Sequence, residues 1–486
     1  MTGKIFTALP DYLAENHGMV HPSYTASGIS PLMSVGCLYK LWGRDLPPEL
    51  FWNRRQVYEN LKALTDGAGY AQAVQGMDWH YLHVLATAPA HAIAAVFFDD
   101  ADAAALERLG LENAEQRQKG NGGRMYDQNF ALKAHDQQDP MIMREVTISG
   151  AASLYLLHRL FGPGPAPAPE AEMEVRLSGV HNFPHAGFVH HRHPHGQTSF
   201  AWRNSIMALP LTREGIYTIA PRSDTWLGTP VVRDRPDSHR LKTVRVTEYD
   251  HSFAALLVMD RCQESLRQQV LFASLPDGRV LSFEKFVAGE DLVLEGLDQG
   301  FLRITNEHFV QLAPNCRGER VLYCAEGETR YPGWLGEAEE DDVVETLGRP
   351  LWLNVDDRLG IQFVGGGKAV YHNRHFFNPY RAIADDLTLS RLEGEKSLRT
   401  GEEAGCLAAL LVPEQVHGDT SGAVFEVLVG PEDGVGLLAE GFLAAANSGA
   451  RHRVCTFSLS RSEQLSVFPG AVLETLGDRL FYHVPI

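Results

Sequence analysis

Near the start of the chain, AENHGMVHPSY brings Asn16, His17, His21 and Tyr24 into one short loop. An amide, two imidazoles and a phenol so close together suit a β-elimination on a uronic acid. Amide and imidazole hydrogen bonds to the carboxylate stabilise an enolate-like state, which makes the adjacent C–H more acidic. A Tyr or His then removes the proton, and a Tyr protonates the departing glycosidic oxygen. The plain alternative is a capping and turn segment with incidental polar residues.

A denser cluster follows in HNFPHAGFVHHRHPHGQTSFAWRN, which carries His181, His185, His190, His191, His193 and His195 together with Arg192 and Arg203. On a strand, HxH puts two imidazoles on one face, a pattern that binds metals. No Asp or Glu lies within this run to complete a usual site. Three readings stand: a divalent metal site, hydrogen-bonded histidines at a domain interface, or a groove of imidazole and guanidinium that receives an anion. The groove is favoured.

A third cluster, QAVQGMDWHYLHVL, holds Gln75, Asp78, Trp79, His80 and Tyr81. Asp78 suits a helix N-cap, and Trp79 or Tyr81 is either a sugar-stacking platform or core. Arg124, in the Gly-rich GNGGRMYDQN, can serve as a bidentate donor to a carboxylate. Neither GNGG nor VGGGK (Val364 to Lys368) reads as a nucleotide motif. The first has no preceding βαβ unit, and the second lacks the terminal Ser or Thr of a phosphate loop. YHNRHFFNPY (Tyr371 to Tyr380) either borders the same groove or decorates a sheet edge.

Two kinds of element must position these residues. Up to Pro163, apolar residues recur at helical spacing. Ser30-Pro31 reads as N-cap and N1 ahead of LMSVGCLYKLW, and Pro47-Pro48 opens ELFWNRRQVYENLKAL, which stops at Asp66-Gly67. Further helices are expected over Met77 to Phe98, interrupted or kinked at Pro89, then Asp99 to Gln118, then Met141 to Phe161 with Gly162 as C-cap. The pattern is a layer of helical hairpins. GPGPAPAPEAE (Gly162 to Glu172) reads as a stiff proline-rich linker. Beyond it the apolar period drops to two, as in LKTVRVTEY, HSFAALLVMD, QQVLFASL and RVLSFEKFVA, and Pro276-Asp277-Gly278 is a hairpin turn. So many strands predict a large antiparallel sandwich of stacked sheets. The expected organisation is therefore α+β and multidomain: helices over 1–162, linker over 163–173, sandwich over 174–486, with a potential subdivision near 390–400.

The 486 residues, 44% hydrophobic and 21% charged, exclude a disordered or collagen-like chain. The 43 Lys and Arg against 61 Asp and Glu leave a net charge of −18, which argues against general affinity for nucleic acid or an anionic membrane. No stretch reaches the ~20 apolar residues of a membrane span, and MTGKIFTALPDYLAENHG has no apolar signal core. The six cysteines lie far apart with no CxxC pair, so isolated buried thiols are expected. GEAEEDDVVE (Gly336 to Glu345) is a solvated acidic loop.

Helices followed by a large sandwich resemble the α/α-toroid polysaccharide lyases, which include the hyaluronate and chondroitin AC lyases, the toroidal alginate lyases and the heparinase II/III-like enzymes. Asn16-His17-Gly18 resembles the Asn-His-Gly motif of the alginate-type members. FPHAGFVHHRHPHGQTSF resembles the opening of their sandwich domain, with His193, His195 and Ser199-Phe200 as loose matches. Gln197 stands where an acidic metal ligand would be expected, and the helical half is short for a full toroid. The motifs cover short stretches, whereas the resemblance in architecture spans the chain.

The resemblance implies a lyase that cleaves a 1,4-linked uronic-acid polymer and leaves an unsaturated sugar at the new non-reducing end. In that reading Asn16 and His17 neutralise the carboxylate, Tyr24 or Tyr81 is the acid/base, and His195 is a second base or neutraliser. Trp79, His80, Arg124, Arg192, His193 and Arg203 bind the substrate. No organic cofactor is implied, a divalent Zn or Ca ion stays open, and the partner is an anionic polysaccharide. The family is usually exported, while this chain shows no signal. Two alternatives are kept: a glycoside hydrolase using Asp78 and Asp127 as its carboxylate pair, and a non-catalytic carbohydrate-binding protein.

Overall fold

The computed structural model describes residues 8–16, 18–67, 69–72, 74–75, 87–120, 123, 140–203, 207–212, 226–305, 320–331, 343–377, 382–423, 425–429, 434–439, 442–447, 454–460, 472–476 and 479–485. Helices fill the first third. α1 spans Pro22–Ser27, α2 Ser30–Leu41, α3 Arg54–Ala63, α4 Ala88–Phe98, α5 Ala101–Gly120, α6 Pro140–Phe161 and α7 Glu170–Leu177. α4 is in contact with α2, α3, α5 and α6. Its sequence explains that central place: Ala90, Ala92, Ile93, Ala94, Ala95 and Phe98 are all buried, and a helix apolar all round belongs inside.

Local punctuation sets the boundaries. Pro89 lies in the first turn of α4, where a proline loses nothing because its N–H would be unpaired anyway. Of the interruption or kink expected at Pro89, it is the interruption that occurs, as a helix start. Asp99 takes φ +55 and breaks the chain, after which Asp100 accepts the Ala103 N–H at 3.0 Å and caps α5. Ser30 is not the cap of α2; its hydroxyl donates back to Ala26 O at 3.3 Å. Gly162, at φ +98, closes α6 as expected.

The proline-rich linker is shorter than its composition suggests. Gly162 to Pro169 is non-helical, but the prolines end there and EAEMEVRL forms α7. Met173 and Leu177 pack on Ala105, Leu106 and Leu109 of α5, and Ala168 donates its N–H to Ala101 O. The tether is thus docked on the helical layer up to residue 177.

Beyond α7 the described residues are mostly antiparallel sheet, as the period of two predicts. A nine-stranded sheet runs Gly327–Tyr331, Arg320–Cys324, Trp352–Val355, Leu359–Gly365, Glu403–Pro413, Val280–Ala288, Leu266–Ser274, Ser252–Arg261, His239–Tyr249. A five-stranded sheet runs Val343–Gly348, Lys368–Phe377, Ala382–Leu398, Leu292–Thr305, Thr229–Val232. They share the main core, in which Phe253, Leu257, Phe272 and Ile361 meet Leu302, Ile304, Leu387 and Leu389. A three-stranded sheet over 425–447 covers the opposite face of the nine-stranded one through Leu437, Ala439 and Ala444. The strand Ala382–Leu398 runs through the region near 390–400, and the chain then crosses into the centre of the nine-stranded sheet as Glu403–Pro413.

Candidate functional site

The first cluster lies on a small hairpin, β1 (Glu15–Asn16) and β2 (Met19–Val20), joined by residues 17 and 18. So tight a turn demands positive φ, and Gly18 supplies it at +87. Met19 and Val20 are buried while Asn16 is half-buried at the tip. α1 holds the base of the hairpin: Thr25 Oγ1 accepts the Ala14 N–H at 3.1 Å, and His21 N–H donates to Ala14 O at 3.1 Å. Tyr24 is half-buried on α1, its ring edge-on to His21 with centroids 4.9 Å apart. His21 is itself buried, with Nδ1 2.8 Å from Ser23 Oγ. His17, Asp78, Trp79, His80, Tyr81, Arg124 and Asp127 lie outside the described residues.

The histidine-rich run forms a four-stranded sheet of β3 (Gly179–Phe183), β4 (Phe188–His193), β5 (Gly196–Ala201) and β6 (Met207–Thr212). Alternation divides its side chains between two faces. Phe188, His190 and Arg192 of β4 share one face with their cross-strand partners, His181 on β3 and Ser199 and Gln197 on β5. That face meets the helical layer. Val189, His191 and His193 share the other, where Val189 and Phe200 join the main sandwich core.

Burial corrects the expected groove. Arg192 is 2% exposed; its guanidinium donates to Glu174 Oε1 at 2.9 Å and to Thr65 O. It ties the sheet to α7 and to the end of α3, and presents nothing to a substrate. His193 is 3% exposed, with Nε2 3.3 Å from Thr198 Oγ1 and its ring against Gly278. A Cβ at Gly278 would lie 2.4 Å from His193 Nδ1, so the Pro276-Asp277-Gly278 turn, with φ +83 at the glycine, is also a seat for that imidazole. His195 stays half-exposed in the β4–β5 turn, with Nδ1 3.4 Å from Glu414 Oε2. Arg203 is exposed, donates to His185 O, and lies over Gly187.

The buried imidazoles are neutral. Desolvation lowers His190 to about 3 and His191 to about 4, with neighbouring positive groups adding to the effect; His193 falls well below its ordinary value for the same reasons. His190 Nε2 lies 2.7 Å from Gln197 Oε1, which makes that nitrogen the proton carrier. Its Nδ1 has no hydrogen-bond partner among the described residues, nor has Gln197 Nε2. Gln197 thus uses its carbonyl to orient a histidine. Among the described residues no three His, Cys, Asp or Glu side chains are grouped so as to hold a metal ion.

Hairpin and histidine sheet meet directly. Val20, Leu64 and Val74 share one apolar cluster with Phe183, Ala186, Phe188 and Ala201. Polar ties reinforce it: Ser199 Oγ donates to Val74 O at 2.7 Å, and Asp11 Oδ2 accepts the Ala186 N–H at 2.7 Å. Gln75, 1% exposed, bonds both partners. Its Oε1 accepts the Val20 N–H at 2.7 Å, and its Nε2 donates to Ala186 O at 3.1 Å. The sequence singles out Gln75 only as a neighbour of Asp78. A polar residue between helices, with no place in a helical period, was its single visible signal. Chemically, the arrangement offers a half-buried amide and a half-buried phenol at a hairpin backed by a packed apolar cluster.

No family model matches this chain, and no curated protein matches it. Among solved structures it is similar to a chondroitin AC lyase of Streptomyces coelicolor A3, in complex with chondroitin sulphate, at 13% identity and a TM-score of 0.47, over 98% of this chain and 69% of that one. A xanthan lyase of Paenibacillus gives 9% identity and 0.45, over 98% and 50% of the two chains. A GH36 alpha-galactosidase of Geobacillus stearothermophilus gives 10% identity and 0.31, over 49% and 41%.

Proposed function

We propose that this protein is a polysaccharide lyase that cleaves a uronic-acid-containing polymer by β-elimination. The observation that carries the reading is the hairpin: Asn16 at its tip and Tyr24 on the helix at its base are both half-buried, and Val20 of the hairpin packs in one apolar cluster with the histidine-rich sheet. In this reading Asn16 and His17 hydrogen-bond the C5 carboxylate. Spreading its charge lowers the cost of the carbanion at C5. Tyr24 or Tyr81 takes the C5 proton as base. The electron pair moves into a C4–C5 double bond, the C4–O bond breaks, and the leaving oxygen accepts a proton from a tyrosine. His195, half-exposed beside Glu414, is the one histidine of β4 or its following turn that keeps access to solvent, and it remains a candidate second neutraliser. The helical layer is then the toroid part of the fold, and no step uses a metal.

The test is a screen of alginate, hyaluronan, chondroitin, heparan and glucuronan for the ultraviolet absorbance of an unsaturated product. Elimination creates that chromophore and hydrolysis does not. His17→Ala is expected to lower turnover by about 100-fold or more, the loss typical of a missing charge-stabilising donor. An active wild type with an equally active His17→Ala would remove the hairpin from the site.

A further inference from the structure

We infer that Gln75 is a positioning residue for the Asn16–His17 hairpin; this rests on the lyase reading of that hairpin. A two-residue turn on two-residue strands has too few hydrogen bonds of its own to hold a side chain still. The structure supplies the rest from outside. One fully buried amide spends its acceptor on the Val20 N–H and its donor on Ala186 O. Glu15 pairs with Val20 in the register, so fixing Val20 fixes the strand that carries Asn16. Ala186 is held in turn, its N–H donating to Asp11 Oδ2. A single side chain thus locks the hairpin to the histidine sheet, 111 residues away in sequence. Both polar ends are engaged in a dry environment, where losing a partner is most costly, so the amide has one orientation. Gln75 touches no reacting atom in this account; it acts through the strand that bears Asn16.

The experiment compares wild type, Gln75→Met and Gln75→Glu in the full chain by steady-state kinetics and by amide hydrogen exchange. Methionine fills the same space without either hydrogen bond, and glutamate keeps an acceptor for Val20. For Gln75→Met we expect kcat to fall by about 10- to 100-fold, as a misplaced catalytic group does, with KM changed by less than about two-fold. Exchange at Val20 should quicken in Gln75→Met and stay slow in Gln75→Glu, with the core of the nine-stranded sheet unchanged in both. Wild-type kcat in Gln75→Met, or equal slowing of kcat and rise of KM, overturns the inference. If wild type eliminates no polymer in the screen, the lyase reading fails, and Val20 exchange still decides the clamp: quickened exchange in Gln75→Met upholds it, unchanged exchange overturns it.

Discussion

Arg192 shows how a residue type can point to the wrong role. An arginine among histidines, in a chain of net charge −18, reads as an anion binder. Its neighbours decide otherwise, because Glu174 and Thr65 O take its donors and burial leaves 2% of it exposed. Removing one partner of a buried pair strands the other, at a cost of about 3–5 kcal/mol. Glu174, with 23% of its side chain exposed, can rehydrate, so the lower end applies. Arg192→Met should therefore lose about 3 kcal/mol in urea unfolding while activity per folded molecule stays near wild type. A substrate-binding arginine would give the reverse, intact stability with a raised KM. Asn16 and Tyr24 differ from Arg192 in one checkable respect: both keep part of their surface in solvent.

At the scale of elements, legibility in the sequence followed local chemistry and stopped where tertiary contacts take over. Prolines and glycines placed the start of α2, the break at Pro89 and the end of α6 within a residue or two, because φ restrictions act wherever the residue sits. Strands such as Ser252–Arg261 and Val280–Ala288 followed from a period of two, since burial alternates along them. What stayed hidden was set by packing. α7 forms because Met173 and Leu177 find α5, and no periodicity in eight residues announces that. Likewise a histidine on β4 carries no mark of the face it will occupy: the register, not the residue, sends His190 toward the helices and His191 toward the sandwich. The hairpin lies between these cases. The sequence reads it only as a loop, and Gly18's φ of +87 makes a side chain there cost about 1–2 kcal/mol. Gly18→Ala should lose that much stability in thermal or urea unfolding. It should also lower kcat, because relief of the strain turns the tip that bears Asn16. Unchanged stability would mean that the backbone at this position relaxes freely.

Across the whole molecule, the histidine sheet is the joint between helical layer and sandwich, and its protonation couples the two to pH. His91 is buried in the helical layer, with Nδ1 3.0 Å from Tyr58 Oη and Nε2 3.0 Å from Gly69 O, and desolvation lowers it to about 4. His191, 2.8 Å from Ser274 Oγ, is lowered to about 4 by desolvation and then by His251 and His181, against a smaller opposing effect of Asp277. His190 falls to about 3. Each starts from 6.5 in an unfolded chain. Between those values the unfolded chain binds protons that the folded one refuses, so stability rises with pH and is lost as pH falls from about 6.5 toward 4. For His91 and His191 the loss is on the order of 3 kcal/mol each by pH 4. His158 works in the opposite sense. Burial lowers it, but its hydrogen bond to Glu107 raises it overall, so its contribution is complete below 6.5 and disappears as pH climbs through its raised value. One weak, partly exposed pair cannot offset the four depressed imidazoles His91, His190, His191 and His193, and the net slope should be positive. Urea midpoints measured from pH 7 to 4 check this. His191→Asn keeps a polar atom for Ser274 and removes one titration, so it should flatten the slope over that window. An unchanged slope in the variant would mean that His191 is already protonated in the folded joint, and that the sheet is wetter than its burial implies.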